Sequence, residues 1–541
     1  MRTKLTLGLT SVAVLLLSLV VILTPAAVTP AVAGTGTGYL HTDGRAIKDA
    51  NGTTIRITGI NWFGMETDNK TFHGLWANAP ATWRGQIDRM ASLGFNTIRV
   101  PYSGDALKPD AVATSINSFT NPDLLNLRPL EILDRVIDYA GSRGMRIILD
   151  RHRPTAAGQT ALWYTPAVSE ASMIADWQML ARRYAGNTTV IGADLFNEPH
   201  ADGTDPNGTG ACWGCGDPNR DWRLAAQRIG NAILSVQPNW LIFVEGVSCL
   251  SGGNANAWDN IPDPWQNCDW WGGNLSGAVT QPVVLSVANR LVYAPHDYGI
   301  SVFDRQPWFR EPNFPSNLPS VWNHFWGQLN APIMLGEFGS TLANPLDVQW
   351  LNTLMTYLTS KGFSFTYWSW NPNSGDTGGI ALDDWYSINQ QKYNILQPHL
   401  NPPTGSSPGP SPSVSRSNGP SPSVSPSRSP SPSSSPRPPG GCTATYTVTG
   451  SWPGGFGAEV RVTNTGTTPT SNGWRVVWTF ASGQSIQNMW QAVYTASGNT
   501  ITATNPPDFN KVIPAGQSIT FGFNGIGPST PVPNPVSCTV L

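Results

Sequence analysis

Eight short apolar runs recur between residues 38 and 401, at 55–62, 96–103, 146–153, 191–199, 241–247, 291–298, 333–339 and 363–370. Each is mostly β-branched or aromatic and has the length of a buried strand rather than a helix. Between them, apolar positions return at helical spacing over 83–93, 129–142, 170–184, 222–236 and 346–360. Strands alternating with amphipathic helices predict an α/β fold, here a (β/α)8 TIM barrel. An open doubly wound sheet is the structural competitor, but no glycine-rich phosphate loop follows an early run. From residue 441 to 541 the pattern changes to alternation, as at 459–463 and 474–480, with many Thr, Asn and Gly. That predicts a C-terminal antiparallel β-sandwich, with Trp474 and Trp478 in its core.

Between these parts, 402–440 is almost wholly Pro and Ser with scattered Gly and Arg. Such a segment cannot bury a core and reads as a disordered, extended Pro/Ser linker. Residues 1–33 carry Arg2 and Lys4, an apolar stretch and Ala31-Val32-Ala33. This is the layout of a secretory signal peptide, and it predicts a secreted, extracellular protein with no membrane association after cleavage. An uncleaved anchor is the alternative, since the apolar stretch approaches the ~20 residues that span a bilayer.

The formal charge is -2 and only 12% of the 541 residues are charged, which excludes a strong field for nucleic acid or anionic membranes. An uncharged partner is expected. The 23 tryptophans require either unusual packing or flat surfaces that stack on something ring-shaped, such as sugars. Six cysteines allow fifteen pairings; in an exported chain they are expected as disulfides, grouped Cys212/Cys215, Cys249/Cys268 and Cys442/Cys538. A redox or zinc role for Cys212 and Cys215 would need a second CxxC or a thioredoxin-like context, and neither is present.

Barrel active sites lie at the C-terminal ends of the strands. The fourth run ends Phe196-Asn197-Glu198-Pro199-His200 and the seventh Leu335-Gly336-Glu337-Phe338-Gly339. Two carboxylates facing one cleft can act as acid and nucleophile on an acetal if their surroundings separate their pKa values. A single strand-end Glu is more often a structural ion-pair partner. The same mouth, however, should receive Arg99, His152, His296, Tyr298 and Trp368 as well. Arg99 can keep one carboxylate ionised, Asn197 can bond a sugar hydroxyl, and Trp368 can floor a pyranose ring. Wall aromatics are sought at Trp62, Trp76, Trp213 and Trp385. No metal or organic cofactor is expected, because no His/Cys cluster has ligand spacing.

The segments INWFG, NTIRVPYS, LDRHRP, DLFNEPH, YAPHDYG, LGEFGS and YWSWNPNSGDTGG, in this order, closely resemble glycoside hydrolase family five, and within it bacterial secreted endo-β-1,4-glucanases. The resemblance implies Glu198 as acid/base and Glu337 as nucleophile, supported by Arg99, His152, Asn197, His296, Tyr298 and Trp368, with cellulose and related β-glucans as partners and a monomeric enzyme. The 441–541 part resembles a family-two carbohydrate-binding module through SWPGGFGAEVRVTN, the NGW at Trp474, Met489-Trp490 and the FGFN stretch. That implies a cellulose-stacking surface of Trp452, Trp490 and, where Trp is usual, Phe509. Mannanases and xyloglucanases share the fold and carboxylate pair, and a non-catalytic wall-binding protein is the alternative from another class.

Overall fold

A computed structural model describes residues 34–203, 208–253, 268–403 and 441–541, the last without 453, 471, 491, 506–510 and 534, and with backbone alone for 449, 452, 488 and 490. The expected leader at 1–33 and nearly all of the expected linker lie outside the described residues. The chain divides into two compact units between residues 415 and 416.

In the first unit, strands Thr58–Asn61, Thr97–Ser103, Arg146–Arg153, Val190–Asp194, Leu241–Val244, Leu291–Tyr293, Met334–Leu335 and Ser364–Tyr367 form one parallel sheet in the cyclic order of the chain. The sixth strand resumes as His296–Tyr298 and the seventh as Glu337–Gly339; these pair in parallel, His296 opposite Glu337. With the bridge between Tyr293 and Ile333, they bring the two edges together. The result is the expected eight-stranded barrel. Its strands are buried on both faces, the burial that near-continuous apolar runs require.

Helices α1 (Trp83–Ser92), α2 (Pro129–Ser142), α3 (Glu170–Arg183), α4 (Trp222–Leu234), α5 (Leu318–Phe325), α6 (Pro345–Lys361) and α7 (Gln390–Leu396) lie between or after the strands. Several begin at side-chain caps: Thr82, Ser169, Asp221 and Asn344 each accept a backbone N–H of the first turn, and Gly362 closes α6 at φ 67°. α5 and α7 were not foreseen, because each spans about two turns and shows too few apolar repeats. An antiparallel ribbon of His41–Asp43, Ala46–Lys48 and Thr54–Ile55 was also unforeseen. Among the described residues, no helix is long and apolar enough to cross a membrane.

Packing accounts for most of the tryptophan excess. Fourteen described tryptophans are fully buried, among them Trp62, Trp177, Trp213, Trp222, Trp326 and Trp370. Trp62 donates to the His73 carbonyl at 2.9 Å, Trp213 to the Gln281 carbonyl at 3.0 Å and Trp222 to the Glu245 carbonyl at 3.0 Å, so burial leaves these indole N–H groups paired.

α7 also anchors a loop of the barrel mouth. Lys392 is buried and donates from Nζ to the Thr377 carbonyl at 2.5 Å, while burial lowers its pKa from 10.5 to about 8. A lysine depressed on folding penalises the fold fully below its folded pKa, and the penalty fades as pH rises toward the unfolded value. Lys392→Met is therefore expected to gain stability relative to the parent at pH 7 and to lose that relative gain between pH 8 and 10.5, as read by denaturant unfolding across that range.

In the second unit, one antiparallel sheet has the order Cys442–Trp452, Gly455–Asn464, Ser518–Ile526, Ser485–Trp490, and the other Val493–Ser497, Thr500–Thr504, Trp474–Thr479, Ser537–Val540. Alternate residues such as Val460, Val462, Val476 and Phe523 are buried between the sheets. Trp474 stacks on Phe521 at 5.4 Å and Trp478 on Phe523 at 5.7 Å, which makes both tryptophans core residues as expected.

The cysteines pair as grouped: Cys212 with Cys215, Cys249 with Cys268 and Cys442 with Cys538. Cys442–Cys538 joins the first strand of one sheet to the last strand of the other. Cys249–Cys268 closes the connection after the fifth barrel strand; Cys249 is fully buried, whereas Cys268 is half-buried and stands next to 254–267, which lie outside the described residues.

Candidate active site

Alternation along the strands delivers the polar residues to the mouth. In His296–Tyr298, residues 296 and 298 turn toward Glu337 of the neighbouring strand, while Asp297 turns outward to accept from Trp322 and Trp350 at 3.0 Å each. Gly336 makes room for the ring, since a Cβ there would lie 2.8 Å from His296 Nε2. The fourth run was expected to be strand as far as 199, but the strand ends at Asp194 and the chain reaches Glu198 at φ 52°, a left-handed position uncommon outside glycine.

Arg99 is the hub. Its guanidinium is fully buried and reaches Glu337 Oε1 at 2.5 Å, Asp194 Oδ2 at 2.8 Å, Asp150 Oδ2 at 3.2 Å and Glu245 Oε1 at 3.2 Å. It also donates to Asn61 Oδ1 at 3.0 Å and Asn197 Oδ1 at 3.2 Å. Burial works against its charge, but the four carboxylates outweigh that and hold the proton in place. Burial likewise pushes Asp150 up to about 7 and Asp194 to about 6, with Arg99 opposing both shifts.

Glu337 accepts from Arg99 through Oε1 and from the Tyr298 hydroxyl through Oε2 at 2.6 Å. Burial, reinforced by the carboxylates, raises Tyr298 well above its usual value, so it stays a donor. Glu198 Oε1 lies 3.1 Å from His296 Nδ1, and Oε2 accepts from Gln159 at 2.8 Å. Burial pushes the Glu198 carboxyl up, but His296 and Gln159 together leave it below the ordinary value. One carboxylate oxygen of Glu198 and one of Glu337 lie within 4.8 Å of each other, with a ring nitrogen of His296 inside the same radius.

His152 Nδ1 lies 2.7 Å from Asp150 Oδ2, and burial lowers its pKa to about 4, so the imidazole is neutral. Its ring stacks on Trp368, which stacks in turn on Phe63, at 5.5 and 5.3 Å and 9° in both cases. Asn197 Nδ2 is buried without a hydrogen-bond partner among the described residues.

These groups surround a cleft of about 490 Å³ whose lining includes Glu198, Glu337, Tyr298, Trp368, Phe63 and Trp271. All eight expected barrel residues thus meet at one mouth. The wall aromatics need correction. Trp62, Trp213 and Trp385 are buried, Trp62 against Phe72, Trp213 against Gly277 and Trp385 against Gly74, so none can form an open wall. Trp76 is 38% exposed but packs beside His73 and Trp385 rather than lining this cleft. Among the described residues, the exposed ring that does line it is Trp271, stacked on His200 at 3.8 Å and 7°. Cys268 is not itself a cleft residue, but its bond to Cys249 ties down the start of the segment whose next three residues, Asp269, Trp270 and Trp271, line the wall. Sequence reasoning missed Trp271, Phe63, Gln159, Asp150, Asp194 and Glu245. Glu245 had a signal, as the one acid within the fifth apolar run. In the second unit, Trp452 and Trp490 end their strands, with side chains outside the described residues, as is Phe509.

A sequence profile of the cellulase family (glycosyl hydrolase family 5) matches residues 48–374, and one of the cellulose binding domain matches residues 442–541. An endoglucanase of Paenibacillus polymyxa is 48% identical over 372 residues, covering 68% of this chain and 88% of that protein. The major extracellular endoglucanase of Xanthomonas campestris pv. campestris is 40% identical over 500 residues, 91% of this chain and 95% of that protein. Among solved structures, an endocellulase from Pyrococcus horikoshii in complex with cellotetraose superposes with a TM-score of 0.62 at 41% identity, over 68% of this chain and 100% of that one.

Proposed function

The chain belongs to glycosyl hydrolase family 5 and carries a cellulose binding domain, and from that premise we propose that it cleaves internal β-1,4-glucosidic bonds of cellulose with retention of anomeric configuration. It is an endoglucanase, the activity named for its relatives. The observation that carries the retaining course is the separation of the two carboxylates, with oxygens within 4.8 Å. Retaining enzymes hold their carboxyl groups about 5–5.5 Å apart, whereas inverting ones leave room for a water.

Glu337, aligned by Arg99 and Tyr298, attacks the anomeric carbon. Glu198 gives its proton to the departing oxygen through Oε2, the oxygen facing Gln159. A glucan chain over Glu198 strips water from a carboxyl that burial already pushes upward, so proton uptake accompanies binding. Water then enters, Glu198 takes its proton, and the bond to Glu337 breaks. Asn197 Nδ2, without a partner among the described residues, can donate to the hydroxyl beside the reacting carbon, and Trp368, backed by His152 and Phe63, gives the pyranose face an apolar floor.

The domain roles follow the same reading: 1–33 is a secretory leader, 38–401 the hydrolase, 402–440 a tether and 441–541 an anchor on insoluble cellulose outside the cell. Three disulfides and the extracellular relative support the location. Tethering raises the local concentration of the hydrolase at a solid surface. Deleting 402–541 is expected to cut activity on solid cellulose severalfold or more while leaving the rate on a soluble cello-oligosaccharide nearly unchanged; equal loss on both would refute the anchor.

A further inference from the structure

Glu245 makes and breaks no bond in this reaction, yet it touches three of the groups that do or that align them. It directly follows the fifth barrel strand, which ends at Val244, and its carboxylate is fully buried. Oε2 accepts the Glu198 backbone N–H at 2.7 Å, at the residue held in the left-handed region. Oε1 lies 3.2 Å from His296 Nε2 and 3.2 Å from Arg99 Nη2. His296 Nδ1, on the other side of the ring, is the atom beside Glu198 Oε1. The space around this carboxylate is filled closely: a Cβ on Gly272 would fall 2.5 Å from Glu245 Oε2, and Gly272 has φ 68°.

We propose that Glu245 is the positioning residue of the acid/base, fixing Glu198 twice, through its backbone N–H and through the His296 imidazole. The inference rests on Glu198 being the acid/base. Its chemistry is the one proton carried by the buried Glu245–His296 ion-pair contact, in which Nε2 lies 3.2 Å from Oε1 without an aligned hydrogen bond. Whether that proton sits on Glu245 Oε1, with the imidazole neutral, or on Nε2, with the carboxyl ionised, Nδ1 keeps its own hydrogen and donates it to Glu198 Oε1. The other Glu198 oxygen, Oε2, is thereby the one left to exchange protons with the leaving group and with water. Burial favours a protonated Glu245, with His296 and Arg99 opposing. The charged and titratable groups around the pair are Arg99, Asp194, Glu198 and Glu337, with Asp150 and His152 behind them. Without Glu245, the strained turn at Glu198 loses its acceptor and the imidazole can swing or change tautomer, so the acid proton is misdirected.

A group that works through acid catalysis matters for a poor leaving group and little for one that departs unaided. Glu245→Ala and the near-isosteric Glu245→Gln, with Glu198→Ala alongside, are to be assayed as full chains on cellotetraose and on 2,4-dinitrophenyl β-cellobioside. The readout is the ratio of the two kcat/KM values, which is independent of the fraction of folded enzyme. General acid catalysis supplies about 10²–10⁴-fold. Glu245→Ala is expected to lower the cellotetraose value by about 10²-fold and the aryl glycoside value several times less. Glu245→Gln, whose amide oxygen can still accept from Glu198 N–H, should recover part of the loss. If Glu198→Ala shows the selective loss and Glu245→Ala lowers both substrates equally, or neither, Glu245 is only structural and the inference fails. If Glu198→Ala itself shows no selectivity, the acid/base reading fails first.

Discussion

Glu337→Ala is expected to lower kcat on a soluble β-glucan by on the order of 10⁴-fold or more, while the variant still adsorbs to cellulose and unfolds as cooperatively as the parent. The size follows from what Glu337 does. It is the group placed to form the covalent intermediate, and its two oxygens already take the hydrogen bonds from Arg99 and Tyr298 that would align it. Removing it leaves a methyl group and empty space where a nucleophile stood. Added azide or formate should restore part of the rate by occupying that space, with an inverted product from azide. Turnover near the parental rate without such an addition would remove Glu337 from the reaction.

The second large effect is on stability. Arg99→Met is expected to cost about 3–5 kcal/mol, the loss seen when one partner of a buried ion pair is removed, and to abolish activity. One guanidinium balances Asp150, Asp194, Glu245 and Glu337. Asp150 and Asp194 have folded pKa values of about 7 and about 6, raised by burial against the pull of Arg99. Without that pull they rise further, so at low pH both are neutral and need no partner. As pH climbs they must either ionise unpaired or hold protons the unfolded chain would release. The penalty should therefore be smaller at pH 5 than at pH 8 in denaturant unfolding; a pH-independent penalty would show that the four carboxylates do not act on Arg99 as a cluster.

Much of this arrangement was legible in the order of residues, for reasons that also explain where legibility stopped. Barrel strands are short, buried and apolar, so 146–153 could be read residue for residue as Arg146–Arg153. The polar residue that ends such a run must face the mouth, and Glu198, Glu337, His296 and Tyr298 stood out on that ground. Glu245 directly follows the strand Leu241–Val244, but a lone acid just past a strand end looks like any ion-pair partner, and its role depends on contacts to Glu198 and His296 that are distant in sequence. Aromatics were harder. Trp62 follows the first strand and Trp271 lies in the long connection between the fifth and sixth, yet only the second reaches the cleft. Nothing in the local pattern reveals which indole turns inward, because both burial and sugar stacking favour the same flat ring. Cys268, three residues before Trp271, was legible as a disulfide partner of Cys249, but the wall that this bond helps to hold was not. The break of the fourth run at Asp194 was hidden because the left-handed turn at Glu198 is imposed by its surroundings, not by a glycine.

The most direct test follows the anomeric proton of the first product by NMR during hydrolysis of a cello-oligosaccharide, before mutarotation mixes the forms. Attack by Glu337 and release by water activated at Glu198 predict that the β anomer forms first. An initial α anomer would mean a single displacement by water, and Glu337 could then not be the nucleophile.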